Sequence, residues 1–257
     1  MHGNATLSTA TLLAFLLVLA RVGGALVFVP LPGLKGSPDA VRAAFALGFT
    51  FALYGQWPAI DSEFASPARM IAWVLAEAAV GVAVGVCVAI ALEAFVMAAQ
   101  ILGLQAGYAY ASTIDPNTQA DSGILLVFAQ LVAGMSFFAL GLDRDVFRLF
   151  AESLKRIPPG GWAFHSGSAE SIIGLASSLF SVGFRLALPV VALLVLVDVA
   201  LALLGRLNAQ LQLMTLAFPA KMLAALLVLG WIAALFPRLM REVGDHALTG
   251  AHRVLGL

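Results

Sequence analysis

Polar residues punctuate this chain rather than pattern it, and between them lie long apolar blocks. The first runs Thr11–Pro30 and holds Arg21. The second runs Ala43–Trp57. The third, Met70–Leu104, is interrupted only by Glu77, Glu93 and Gln100. The fourth runs Gly123–Leu142. The fifth, Ser171–Leu204, carries Arg185, Pro189 and Asp198. The sixth, Leu211–Leu239, carries Pro219 and Lys221. A membrane-crossing helix needs about 20 mostly apolar residues, so hydropathy predicts six spans. Strands fit poorly, because the blocks are long, lack two-residue alternation and are rich in Leu and Ala.

Two blocks strain that reading. Thirty-five residues, Met70–Leu104, make a helix of roughly 52 Å, against a hydrocarbon core of about 30 Å. Such a block is a broken helix pair, or it tilts, or it projects from the bilayer. Pro189 offers a kink in the fifth block; the third holds Gly81, Gly85 and Gly103 but no proline.

Composition agrees with the pattern. Of 257 residues, 61% are apolar and 11% charged. Average globular chains carry about 25% charge. Disorder is excluded by the hydrophobicity, and an ordinary soluble enzyme has too little charge to work with here. Fourteen basic and 14 acidic residues leave no net charge, so nothing points to nucleic acid. Cys87 is the sole cysteine, which excludes an internal disulfide. The segment before the first block has no Lys or Arg, and Arg21 interrupts the block, the reverse of a cleaved signal peptide. With six spans, one side holds Arg69, Arg144, Arg148, Lys155, Arg156, Arg238, Arg241 and Arg253, and the other Lys35, Arg42 and Arg206. That asymmetry places the termini in the cytoplasm.

Two connections are long. Asp143–Glu170 begins with helical charge spacing and reaches Pro158-Pro159-Gly160-Gly161, which predicts a surface helix ending in a turn. Gln105–Ser122 holds Gly107, Tyr108 and Tyr110 among small residues, then the turn signal Asp115-Pro116-Asn117. The tyrosines serve either to fill a narrow lumen or to anchor at a membrane interface.

No catalytic constellation is visible. The histidines His2, His165, His246 and His252 fall in loops or tails and read as solvated. No phosphate loop, HExxH or GxSxG occurs, and no cofactor is expected. The candidates are polar groups within apolar blocks, which face a protein interior or a water-filled path. Glu93, Met97, Gln100 and Leu104 form one helical stripe, either lining a conduit or bonding between helices. Glu77 leads Gly81 and Gly85, a small-residue face for close helix contact. Asp198 and Arg206 precede the polar run Asn208–Gln212, including Gln210. That run makes a helical hairpin tip, read as a turn at a membrane surface or as a gate contact. Arg185 and Lys221 pair across the hairpin or extend toward the interface.

The order of these polar marks resembles the FliR/SctT family of export-gate proteins. It comprises Arg21-Val22-Gly23-Gly24, Pro30-Leu31-Pro32-Gly33, Pro38, Val41-Arg42, Glu77 with Gly81 and Gly85, Gln100 with Gly103 and Gly107, and Asp115-Pro116-Asn117. Ala187-Leu188-Pro189, Asp198, Arg206, Gln210, Pro219 and Lys221 complete it. The resemblance covers Arg21 to about Leu239. One departure lies at the hairpin tip, where Ala209 stands for the usual Pro and Gln212 for Asn.

The resemblance implies a non-enzymatic subunit of a flagellar type III secretion gate in the bacterial inner membrane, at the basal body. Its partners would be FliP-like and FliQ-like subunits, with a FlhB-like protein at the entrance and unfolded export substrates in the pore. Residues 1–170 would correspond to a FliP-like part and 171–257 to a FliQ-like hairpin, within one integral unit. A plug would map to about Ala106–Asp121, and much of the gate would stand above the bilayer plane. The expected fold is all-α and polytopic, with long broken helices and a C-terminal hairpin. Neighbouring subunits would satisfy Glu77, Arg185 and Asp198. A small-solute secondary transporter is the rival reading; it predicts inverted repeats, and none is visible.

Overall fold

The computed structural model describes residues 9–29, 39–60, 66–107, 124–163, 166–207, 213–232 and 235–257. Among these the fold is all-helical: α1 (Thr9–Phe28), α2 (Asp39–Ala52), a 3-10 turn (Tyr54–Gln56), α3 (Pro67–Ala106), α4 (Ile124–Ala139), α5 (Leu142–Arg156), α6 (Ser166–Leu207), α7 (Leu213–Ile232) and α8 (Phe236–Leu255). Among the described residues three helices, α1, α3 and α6, are long and apolar enough to cross a membrane. The sharply bent pair Leu126–Ala139 and Leu142–Arg156, at 63°, makes a fourth if counted as one span.

This corrects the six-span expectation. The second block forms only the 14-residue α2, about 21 Å long, too short to span. The two over-long blocks are not broken. α3 is one 40-residue helix, and α6 runs 42 residues through Pro189. Ala, Leu and Val fill both without an interrupting turn signal. Pro189 removes only one backbone hydrogen bond, to the Arg185 carbonyl, and the helix tolerates that loss. At about 60 Å, α3 exceeds a hydrocarbon core twofold.

The chain folds as two compact units. The first comprises Met1–Ile90, Gly141–Leu175 and Gly244–Leu257, and the second Ala91–Leu140 and Ala176–Val243. They follow packing and cut across the division at residue 170, which concerns likeness to other subunits.

In the first unit α1 crosses α3 along a glycine seam. A Cβ added at Gly81 would land on the Arg21 carbonyl oxygen, one at Gly85 on the Ala25 backbone, and one at Gly24 on the Ala78 carbonyl. The small-residue face predicted at Gly81 and Gly85 is therefore a contact between backbones. α5 buries Leu142, Val146, Leu149, Phe150 and Leu154, with Asp143 and Asp145 in its first turn and Lys155 and Arg156 in its last. That order complements the helix dipole. The turn after it closes through Gly161 N–H to the Pro158 carbonyl at 2.8 Å. Gly160 sits there at φ 71°, the position after Pro159 where a type II turn requires a left-handed residue.

In the second unit the end of α3 packs on α6 and α7. Ala98, Ala99, Leu102 and Ala106 meet Ala187, Val190, Leu194 and Ala225 in one buried layer. Higher up, Gly183 of α6 lies against Met97 and the Ala94 carbonyl.

Candidate functional site

The second half of α3 has one open face. Glu93 and Gln100 are exposed and Met97 is half-buried, while Ala94, Phe95, Val96, Ala98 and Ala99 are buried. Leu104, next on the stripe, is 70% exposed. Offsets of 4, 7 and 11 from Glu93 place all four on one side of the helix. Neither Glu93 nor Gln100 has a hydrogen-bond or ion-pair partner among the described residues. Nothing lies within 4 Å of a Cβ at Gly103, so packing does not dictate glycine there.

At the end of α3 three of the expected residues come together. Lys221 Nζ and Asp198 Oδ1 stand 2.5 Å apart, with side chains 15% and 41% exposed. The Gln105 side-chain amide donates to Asp198 Oδ2 at 3.4 Å. Lys221 also donates to the Gln105 main-chain carbonyl at 3.5 Å. Two residues on, Gly107 adopts φ 85° and its N–H bonds the Leu104 carbonyl at 3.2 Å. A left-handed residue just past the last turn ends a helix, and glycine adopts it without a Cβ penalty. Lys221 thus pairs with Asp198 rather than with Arg185. Arg185 and Arg206 are exposed on α6, without a partner among the described residues. Tyr108, Tyr110, Asp115, Pro116, Asn117 and Gln210 lie outside the described residues.

Glu77 is placed differently from what its block suggests. It is 2% exposed and accepts from Arg21 Nε through Oε2 at 2.5 Å. Its Oε1 accepts the Gly160 N–H at 3.2 Å, and Arg21 also donates to Ser153 Oγ at 3.0 Å. The expectation that neighbouring subunits satisfy Glu77 and Asp198 is therefore corrected, since this chain supplies a partner for each. No cluster of His, Cys, Asp and Glu fit to hold a metal occurs among the described residues.

The sequence model of a family described as bacterial export proteins, family 1, matches residues 12–247. The chain belongs to this family. The flagellar biosynthetic protein FliR of Escherichia coli K12 is 27% identical over 220 residues, covering 85% of this chain and 82% of that one. Its namesake in Bacillus subtilis is 26% identical over 222 residues, covering 84% of each. The secretion system apparatus protein SsaT of Salmonella typhimurium is 27% identical over 158 residues, 61% of each chain.

Sequence reasoning missed several features of this export protein. Arg21 and Glu77 were seen as separate polar intrusions; their opposite charge, each inside an apolar block and beside a small-residue face, was the available signal. α8 went unread, and His246 and His252 with it. His252 lies on α8, its Nδ1 2.8 Å from the Leu248 carbonyl and its Nε2 3.4 Å from Glu152 Oε2. It is a half-buried contact residue rather than a solvated one.

Proposed function

We propose that this chain is the FliR-like subunit of a flagellar type III secretion export gate in the bacterial inner membrane, at the basal body. With FliP-like and FliQ-like subunits it forms the pore for unfolded flagellar proteins, and a FlhB-like protein borders the entrance. The observation that carries this reading is the family match along residues 12–247, which takes in segments of both compact units. The chain's surface supports it. α6 exposes Phe180, Phe184, Leu188, Leu196, Val199 and Leu203, an apolar face that needs lipid or neighbouring helices to cover it. Arg185 and Arg206 on that helix, with Gln210 beyond it, are our candidates for contacts between subunits. Nothing in the fold favours the transporter reading.

Within the gate we assign the Glu93–Gln100 face to the conduit and residues 105–122 to its resting closure. Gly107 ends α3 and lets the chain turn away. Tyr108 and Tyr110 follow with bulk for a narrow lumen and hydroxyls that tolerate water. In the sequence, Asp115-Pro116-Asn117 is a turn signal beyond them. Deleting the gene in its native bacterium tests the function. The reading predicts cells that make flagellin-type subunits but export none, restored by a plasmid copy. Normal filament assembly in the deletion strain would overturn it.

A further inference from the structure

α6 has two sides, and its own chain uses one of them. Ala187, Val190 and Leu194 are buried against α3 and α7, and Val197 and Leu201 continue that inner line half-buried. The opposite side is open. Arg185, Ala192, Val199 and Arg206 recur there every seven residues, with Leu188, Val195 and Ala202 between them, and all are exposed. Steps of three and four residues keep such a line on one face of the helix. Only 17% of the apolar stretch of α6 is buried within the chain, against 67% of that of α3.

Three features of the outer line point to a second helix rather than to lipid. Alanine at 192 and 202 lets another backbone come close, which a lipid tail does not need. The strict seven-residue repeat is the period a second helix follows at a shallow crossing, here for 21 residues from Arg185 to Arg206, about 31 Å. Pro189 is exposed beside the line and has no N–H, so the Arg185 carbonyl lacks its intrahelical donor. Lipid tails supply no donor, whereas side chains of a neighbouring helix do. The charges state the chemistry of that neighbour. Arg185 and Arg206 have no partner among the described residues, and an arginine on an apolar face calls for an anion. The planar guanidinium matches a carboxylate through two parallel hydrogen bonds.

We propose that the outer line of α6 docks one apolar helix of a neighbouring gate subunit, and that this helix brings an aspartate or glutamate to Arg185 and another to Arg206. This rests on the reading of the chain as a gate subunit, and names the chemistry of the contact. α6 is then a middle helix, packed on its own α3 and α7 by the inner line and on the neighbour by the outer one. The two arginines set the register, because a neighbour shifted by one turn leaves both guanidinium groups facing apolar side chains.

The test uses the full chain produced with its FliP-like and FliQ-like partners. A photo-reactive phenylalanine replaces Leu188, the membranes are irradiated, and the adducts of the purified complex are mapped by mass spectrometry. The expected adduct lies on one helix of a partner subunit, close to an Asp or Glu of that helix. Arg185→Glu is expected to lower the fraction of chain recovered in the complex about tenfold or more, the effect of losing a hydrogen bond to a charged group. Exchanging the labelled partner's acid for Lys in the same strain restores it, which also shows that the Arg185→Glu chain folds. Adducts at Leu188 with lipid alone, or with this chain's own helices, overturn the docking line. Undiminished complex in Arg185→Glu, or no recovery in the charge exchange, overturns the carboxylate and the proposal with it. If the unsubstituted chain forms no complex with these partners, the gate reading falls and the docking line falls with it. A normal complex in which Leu188 labels only lipid leaves the gate reading standing and removes the docking line.

Discussion

Arg21 and Glu77 stand 56 residues apart and meet in a buried ion pair, Nε to Oε2 at 2.5 Å, with side chains 1% and 3% exposed. Ser153 accepts a second Arg21 bond and the Gly160 N–H occupies the second Glu77 oxygen. α1, α3, α5 and the turn after α5 are thus fixed at one point, just where the glycine seam brings α1 and α3 backbone to backbone. Close approach delivers the two charges, and their hydrogen bonds offset the desolvation.

Removing one partner leaves the other charge buried and unpaired. Glu77→Gln or Arg21→Met is expected to cost about 3–5 kcal/mol. The exposed Arg148–Asp145 pair, at 3.1 Å with Arg148 79% exposed, is worth at most about 1 kcal/mol, so Arg148→Ala is the control. Thermal denaturation of the purified complex in detergent compares them. Equal losses from Glu77→Gln and Arg148→Ala would show that the buried node is not what holds the first unit.

The seam gives a second contrast. Gly81→Ala places a methyl group on the Arg21 carbonyl oxygen, and neither backbone can yield without parting α1 from α3. Gly174 lies in α6 with nothing within 4 Å of its Cβ position, so Gly174→Ala is expected to stabilise by up to about 1 kcal/mol through helix propensity. Protease resistance in membranes reads both: lost in Gly81→Ala, kept or raised in Gly174→Ala. A resistant Gly81→Ala variant would contradict the close crossing.

Much of this was legible in the chain, for identifiable reasons. Apolar continuity gave the helices, and the offsets of Glu93, Met97, Gln100 and Leu104 gave the open face of α3. The Gly81–Gly85 spacing gave the seam. Counting blocks as spans failed because hydropathy measures apolar length and not partner. α2 is apolar without being long, and α3 is much longer than a bilayer needs. α8 was hidden by its charges, though Met240, Ala247, Ala251 and Val254 are buried along one face. Helical periodicity, not hydropathy, was the signal for it. The pairs Arg21–Glu77 and Asp198–Lys221 join residues distant in sequence, so only the fold shows them to be neighbours, although two like charges already argue against a pairing of Lys221 with Arg185.

The stripe on α3 yields a third prediction. Glu93 is exposed and has no partner among the described residues, so Glu93→Ala is expected to change stability by no more than about 0.5 kcal/mol. If it lines the conduit, as proposed, Glu93→Ala alters export all the same. Secretion assays beside purification of the complex check this. Loss of assembly in Glu93→Ala would reassign the residue to a contact between subunits.

The most direct test of the gate assignment is the mass of the detergent-extracted protein, with and without its FliP-like and FliQ-like partners. Glu77 and Asp198 are satisfied inside the chain, so dependence on partners rests on the apolar face of α6, where Phe180, Phe184, Leu188 and Leu196 are exposed. The account predicts a defined large complex when the partners are present, and degraded or aggregated chain when they are absent. A stable, cooperatively melting monomer that binds a small solute would contradict it.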